Sequence, residues 1–128
     1  MRLLRGLFVG SMAFFLLSHS VRSRADGRNK IKPSVKSFAV YAQSRGKGVP
    51  PAARAAIRKV QDLVEADRKR GVKVTFTTAR IGIEGETKLC ADYKDSRAGT
   101  EAFQRASVIV KGVDLINLVV EPCVKARP

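Results

Sequence analysis

Histidine is nearly missing from this chain. Its 128 residues include one, His19, no tryptophan, and two cysteines, Cys90 and Cys123. Each shortage excludes a chemistry. A serine or cysteine nucleophile usually needs an imidazole to take its proton. The common zinc sites are built from histidine or from four thiolates, and histidine is the ordinary proton carrier near neutral pH. Acid is scarce as well: 11 Asp and Glu face 25 Lys and Arg, a net charge of +14. Long apolar runs are lacking too. The longest uncharged, mostly apolar stretch, "LFVGSMAFFLL" at 7–17, has 11 residues, whereas a bilayer span takes about 20. Paired carboxylates or a perturbed lysine are the catalytic devices that remain. The expectation is a chain that is not an enzyme and takes neither metal nor cofactor.

What is present begins with the amino-terminal layout. Arg2 and Arg5 precede the apolar run, and "SHSVRSRA" follows it, with Ser23 and Ala25 as small residues before a cleavage point. A positive start, a short apolar middle and a small-residue exit mark a secretory signal peptide over 1–25. Cleavage there leaves twenty-one bases against all eleven acids, a net +10, and no histidine. The expected destination is secreted or periplasmic, with no transmembrane anchor after cleavage. Residues 26–36, "DGRNKIKPSVK", have no apolar period and read as a basic arm. Residues 124–128 form a short basic tail.

Between them, 37–123 read as one domain. "SFAVYAQ" alternates, with Phe38, Val40 and Ala42 on one side and Tyr41 on the other, as a strand does. In "PAARAAIRKVQDLVEADRKRG", Ala53, Ile57, Val60 and Val64 recur at helical spacing, Pro51 suits the start and Gly71 the stop. Arg58–Asp62 and Glu65–Lys69 are spaced to pair on its outer face. Residues 72–81 and 87–93 alternate again around the turn "GIEGE", a hairpin. Asp95 or Ser96 caps a second helix ending at Gly112, and Gly99 weakens it by up to about 1 kcal/mol. Residues 113–120, "VDLINLVV", close the domain as a strand with Ile116, Leu118 and Val120 toward the core. The order is βαββαβ. It predicts an α+β, ferredoxin-like sandwich: one antiparallel four-stranded sheet in the order 4-1-3-2, with both helices on one face.

Cys90 and Cys123 make an even pair in a small domain, so a disulfide is expected in an oxidising compartment. It would close a loop of 33 residues, worth about 3–4 kcal/mol in chain entropy. Both fall on the helix-free face, yet on strands separated by the first strand. Bridging them requires the segment after Glu121 to fold across the sheet; otherwise the strand order differs or the thiols are free.

"SRGKGVPPAAR" at 44–54 invites comparison with a phosphate loop. Such a loop needs GxxxxGK[ST] and free N–H groups at the following helix start. Here Gly46, Lys47 and Gly48 run into Val49, Pro50 and Pro51, and the two prolines remove donors. The stretch reads as a basic connection whose Arg45, Lys47 and Arg54 face anionic surfaces. Glu84, Glu86 and Asp92 match no calcium-loop spacing. The RNA-binding variant of this fold stacks bases on sheet aromatics; only Tyr41 lies on the open face, so no sequence-specific nucleic-acid reader is expected. Tyr41, Leu115, Asn117 and Val119 make that face partly apolar, suited to a protein partner or a second copy in a homodimer.

The layout from Lys36 to Cys123, ending in "LVVEPC", resembles that of subtilisin propeptides and their free-standing inhibitor relatives. The resemblance implies that the segment after the last strand, 121–128, enters a protease cleft; Pro122 and Cys123 depart from the family pattern. Two functions follow. The first is a small secreted or periplasmic non-catalytic binding module that recognises a protein partner or an acidic surface. The alternative is a propeptide-like protease inhibitor acting through its C-terminal tail.

Overall fold

A computed structural model describes residues 33–124. The signal peptide read at 1–25, most of the basic arm and residues 125–128 of the tail lie outside the described residues. The elements are β1 (Ser37–Ala42), α1 (Pro51–Lys69), β2 (Val74–Arg80), β3 (Thr87–Tyr93), α2 (Ser96–Val110) and β4 (Ile116–Val119). The strands form one antiparallel sheet in the order β2-β3-β1-β4. Element order and strand order together are those of the ferredoxin-like α+β fold.

The core forms because the four strands and two helical stripes present apolar residues to the same layer. Phe38, Val40 and Ala42 of β1, Leu89 and Ala91 of β3, Val60 and Val64 of α1, and Ala102 and Ala106 of α2 are fully buried in it. Each of the larger ones contributes about 1.5–3 kcal/mol by leaving water. Phe38 sits at the centre, stacked 6.1 Å from Tyr93 and edge-on 5.9 Å from Phe103. Gly99 has a packing reason. A Cβ there would lie 2.2 Å from the carbonyl oxygen of Val35, so the lead-in to β1 runs against the first turns of α2. The Val35 N–H donates to Thr100 Oγ1 at 3.0 Å and holds that approach.

Several boundaries and pairs differ from expectation. β2 starts at Val74, because Gly71 (φ +89°) and Val72 close the end of α1, their N–H groups donating to the carbonyls of Arg68 and Asp67. β4 has four residues: Val113 is irregular, and Asp114 and Leu115 form a turn before the strand begins, Leu115 with φ 58°. Val120 is 54% exposed rather than in the core, since the strand has ended before it. Glu65 pairs with Arg68 at 2.6 Å rather than with Lys69. Arg58 turns back to the carbonyl of Arg54 at 3.3 Å instead of meeting Asp62.

The sandwich has two ends. One gathers the 43–50 connection, the 81–86 hairpin turn and the 111–115 turn. The other gathers the starts of β1 and β2 and the end of β3.

Candidate functional site

Past Val119 the chain turns across the helix-free face. Ala39 is in register with Cys90 on one side and Val119 on the other, so Cys123 must cross β1 to reach Cys90. It does: the two are bridged, with their Cα atoms 5.7 Å apart. Two strand spacings amount to about 10 Å, and four residue steps reach at most about 14 Å, enough for the crossing. The tail therefore folds, and the expected sheet order stands with the disulfide in place. Midway, Glu121 accepts from the Tyr41 hydroxyl at 2.5 Å and pairs with Lys88 Nζ at 2.6 Å. Lys88 also lies 5.0 Å over the Tyr41 ring. The Lys88 hydrogen bond, helped by Tyr41, holds the Glu121 carboxyl below its usual range; the bond to Glu121 in turn raises Lys88. The strap seals Ala39 completely, although that residue lies on the face away from the helices.

The strap engages one residue of the expected partner face. Tyr41 is half-buried and engaged by Glu121. Leu115 is half-buried in the turn before β4, where its carbonyl accepts the Gln43 N–H at 2.8 Å. Asn117 and Val119 stay exposed along β4, and the Asn117 amide donates to Gln43 Oε1 at 2.9 Å. Tyr41 stands opposite Asn117 in the β1–β4 register, so these two are neighbours across the sheet.

At the loop end, Arg45, Lys47 and Arg54 are all exposed, and they share their surroundings with acids. Ser44 donates to Glu84, Arg45 lies 3.7 Å from Asp114, and Glu86 accepts the Glu84 N–H at 3.3 Å. The Arg45–Asp114 pair is about three-quarters exposed on both sides and contributes little. The end is thus mixed in charge. α1 opens with Pro50 at its N-cap and Pro51 at its first position, so two donors are missing from that end.

The opposite end is more uniformly basic. The strand order sets Lys73, Lys94 and Lys36 at three neighbouring termini. The Lys94 N–H donates to the Lys73 carbonyl at 3.0 Å, and the Tyr93 N–H to the Lys36 carbonyl at 2.8 Å. All three are exposed and line one depression with Asp92, whose carboxylate is bound by Ser37 Oγ at 2.7 Å. No acid pairs with these lysines among the described residues. Sequence reasoning missed the cluster because the three lie far apart in the chain; the available signal was a lysine flanking each of three strands.

It also missed Asp67. This carboxylate is 1% exposed on α1. It accepts from the Tyr93 hydroxyl at 2.8 Å, from Arg105 Nη2 at 2.8 and 3.0 Å, and from Arg70. Burial, then the bond to Asp67, pushes the Tyr93 phenol well above its ordinary value. With its oxygens fully engaged, Asp67 ties α1, α2 and β3 together rather than offering a free base. The signal was an acid three residues beyond Val64, on the buried stripe. No group of three or more candidate metal ligands converges among the described residues.

No protein-family model matches the chain, and no curated protein or solved structure matches it significantly.

Proposed function

We propose that this chain is a small secreted or periplasmic, non-catalytic binding module that recognises an acidic surface on a partner through the end carrying Lys36, Lys73 and Lys94. The observation that carries the reading is the convergence of those three lysines, without acid partners among the described residues. Arg28, Lys30 and Lys32 shortly precede Lys36 in the sequence and add to the positive charge of the chain. The disulfide favours an oxidising compartment. Among the described residues no helix is long and apolar enough to cross a membrane. A non-catalytic role is supported by Asp67 and Glu121 being committed to internal partners. The inhibitor alternative draws less support, since Glu121 and Cys123 are bound to their own sheet instead of extending from it.

Two triple variants test the reading on immobilised heparin. Lys36→Gln/Lys73→Gln/Lys94→Gln and Arg45→Gln/Lys47→Gln/Arg54→Gln remove the same charge. The first is expected to lower the salt needed for elution distinctly more than the second. Equal losses would mean that net charge alone drives binding, screened over about 10 Å at 0.1 M salt, and that no recognising end exists.

A further inference from the structure

The free edge of the sheet at β2 has the features of a second, different binding surface. β2 is seven residues long and, among the described residues, pairs on one side only, with β3. Its register is one-to-one from Val74↔Tyr93 to Arg80↔Thr87, with no bulge, and the strand "VTFTTAR" contains neither proline nor glycine. Thr75 and the run from Thr77 to Arg80 are exposed.

The hydrogen-bond alternation shows which groups are available. The Lys94 N–H donates to the Lys73 carbonyl, and the Ile81 N–H to the Glu86 carbonyl. In an antiparallel ladder the bonded positions recur every second residue. Thr75, Thr77 and Ala79 therefore bond to β3, whereas Val74, Phe76, Thr78 and Arg80 turn their N–H and C=O groups outward. Such a row is a template for another strand. Beside it, on the helix-free face, a groove of about 420 Å³ is lined by Thr75, Thr77, Cys90, Cys123 and Val124. The strap forms its far wall, so the disulfide shapes a trough for side chains of an added strand.

Charge decides the occupant. Lys73 and Arg80 stand at the two ends of the edge, and Lys94 beside the first. Two copies pairing antiparallel over the whole strand would bring each Lys73 near the other copy's Arg80. Pairing in parallel would set Lys73 against Lys73. Both arrangements oppose like charges between chains of net charge +14. A strand with acids at its ends meets the opposite situation.

We infer that the β2 edge, Val74–Arg80, is a strand-addition site for an extended acidic peptide segment of a partner protein. It goes beyond the lysine-end reading because it requires backbone pairing and not charge alone.

The test is NMR titration of the ¹⁵N-labelled full chain with a capped peptide, Glu-Val-Thr-Val-Thr-Glu. Two control peptides accompany it: one N-methylated at alternate amides, which keeps the charge, and one with lysine in place of glutamate. The expected result is slowed amide exchange at Val74, Phe76, Thr78 and Arg80, with Thr75, Thr77 and Ala79 little changed. Each control should bind about tenfold more weakly or worse. Thr78→Pro removes an outward N–H but no ladder bond, so the variant should fold and lose the peptide. No titration at millimolar peptide would overturn the proposal, as would equal binding of the N-methylated form, which would leave only the charge-based reading. Dimerisation that maps to β2, or β2 resonances that move when residues 125–128 are deleted without peptide present, would assign the edge to a second copy or to the chain's own C-terminus. Either result would also overturn it.

Discussion

Replacing both cysteines, Cys90→Ala/Cys123→Ala, isolates what the strap contributes. The bridge spans 33 residues. In the chain-entropy relation that closure removes about 12.5 cal/mol/K from the unfolded ensemble, or about 3.7 kcal/mol at 25 °C. The described residues, 33–124, form a domain in the size range where 1 kcal/mol shifts Tm by about 4–8 °C. A loss of roughly 15–30 °C is therefore expected. The same perturbation should raise the denaturant m-value, because the uncrosslinked chain exposes more surface when unfolded. Urea melts followed by circular dichroism, on the full chain and the double variant, read both quantities. Glu121 still pairs with Lys88 and Tyr41 in the variant, so the native fold should survive at low temperature. A loss below about 1 kcal/mol with an unchanged m-value would refute the reasoning, because the unfolded chain would then gain no freedom from the missing link. A loss far above about 5 kcal/mol would refute it differently, by making the strap's packing over Ala39, rather than the cross-link, the main contribution.

Two further outcomes follow from the core. Because the Tyr93 phenol is raised in the folded state, its contribution to stability is complete below the ordinary tyrosine value near 10 and is lost as pH climbs toward the raised folded value. Melting temperature should therefore fall on the alkaline side, and Tyr93→Phe should flatten that limb while costing about 1.5–3 kcal/mol at neutral pH for the lost bond to the Asp67 carboxylate; an unchanged alkaline limb in the variant would assign it to other groups. Gly99→Ala should destabilise by about 1–3 kcal/mol in urea melts, since the added methyl meets the Val35 carbonyl at 2.2 Å. A gain, the usual result of alanine in a helix, would mean that the β1 lead-in moves freely.

Much of the fold was legible because the periods were clean. Phe38, Val40 and Ala42 alternate, the α1 stripe recurs at helical spacing, and Gly71 ends that helix where the pattern stops. Cys90 and Cys123 were legible as a pair, but not as a crossing, since parity says which face a residue occupies and not whether the chain folds back over it. The end of β4 was harder to read: Val119 and Val120 look alike in sequence, yet the strand stops between them because the tail must depart toward Cys90. The candidate sites were the least legible. Arg45, Lys47 and Arg54 are close in sequence, and folding surrounds them with Glu84, Glu86 and Asp114. Lys36, Lys73 and Lys94 are distant in sequence, and folding brings them together.

By itself the sequence determined the βαββαβ order, the faces of the elements and the excess of positive charge, because these depend on local period and composition. Tertiary structure alone decided that the tail straps the sheet, that Asp67 is enclosed by Tyr93 and two arginines, and that, among the described residues, one end collects three lysines without acid partners and β2 pairs on one side only. Each of these depends on which distant segments become neighbours, and strand order and chain crossing set that where no single stretch of residues records it.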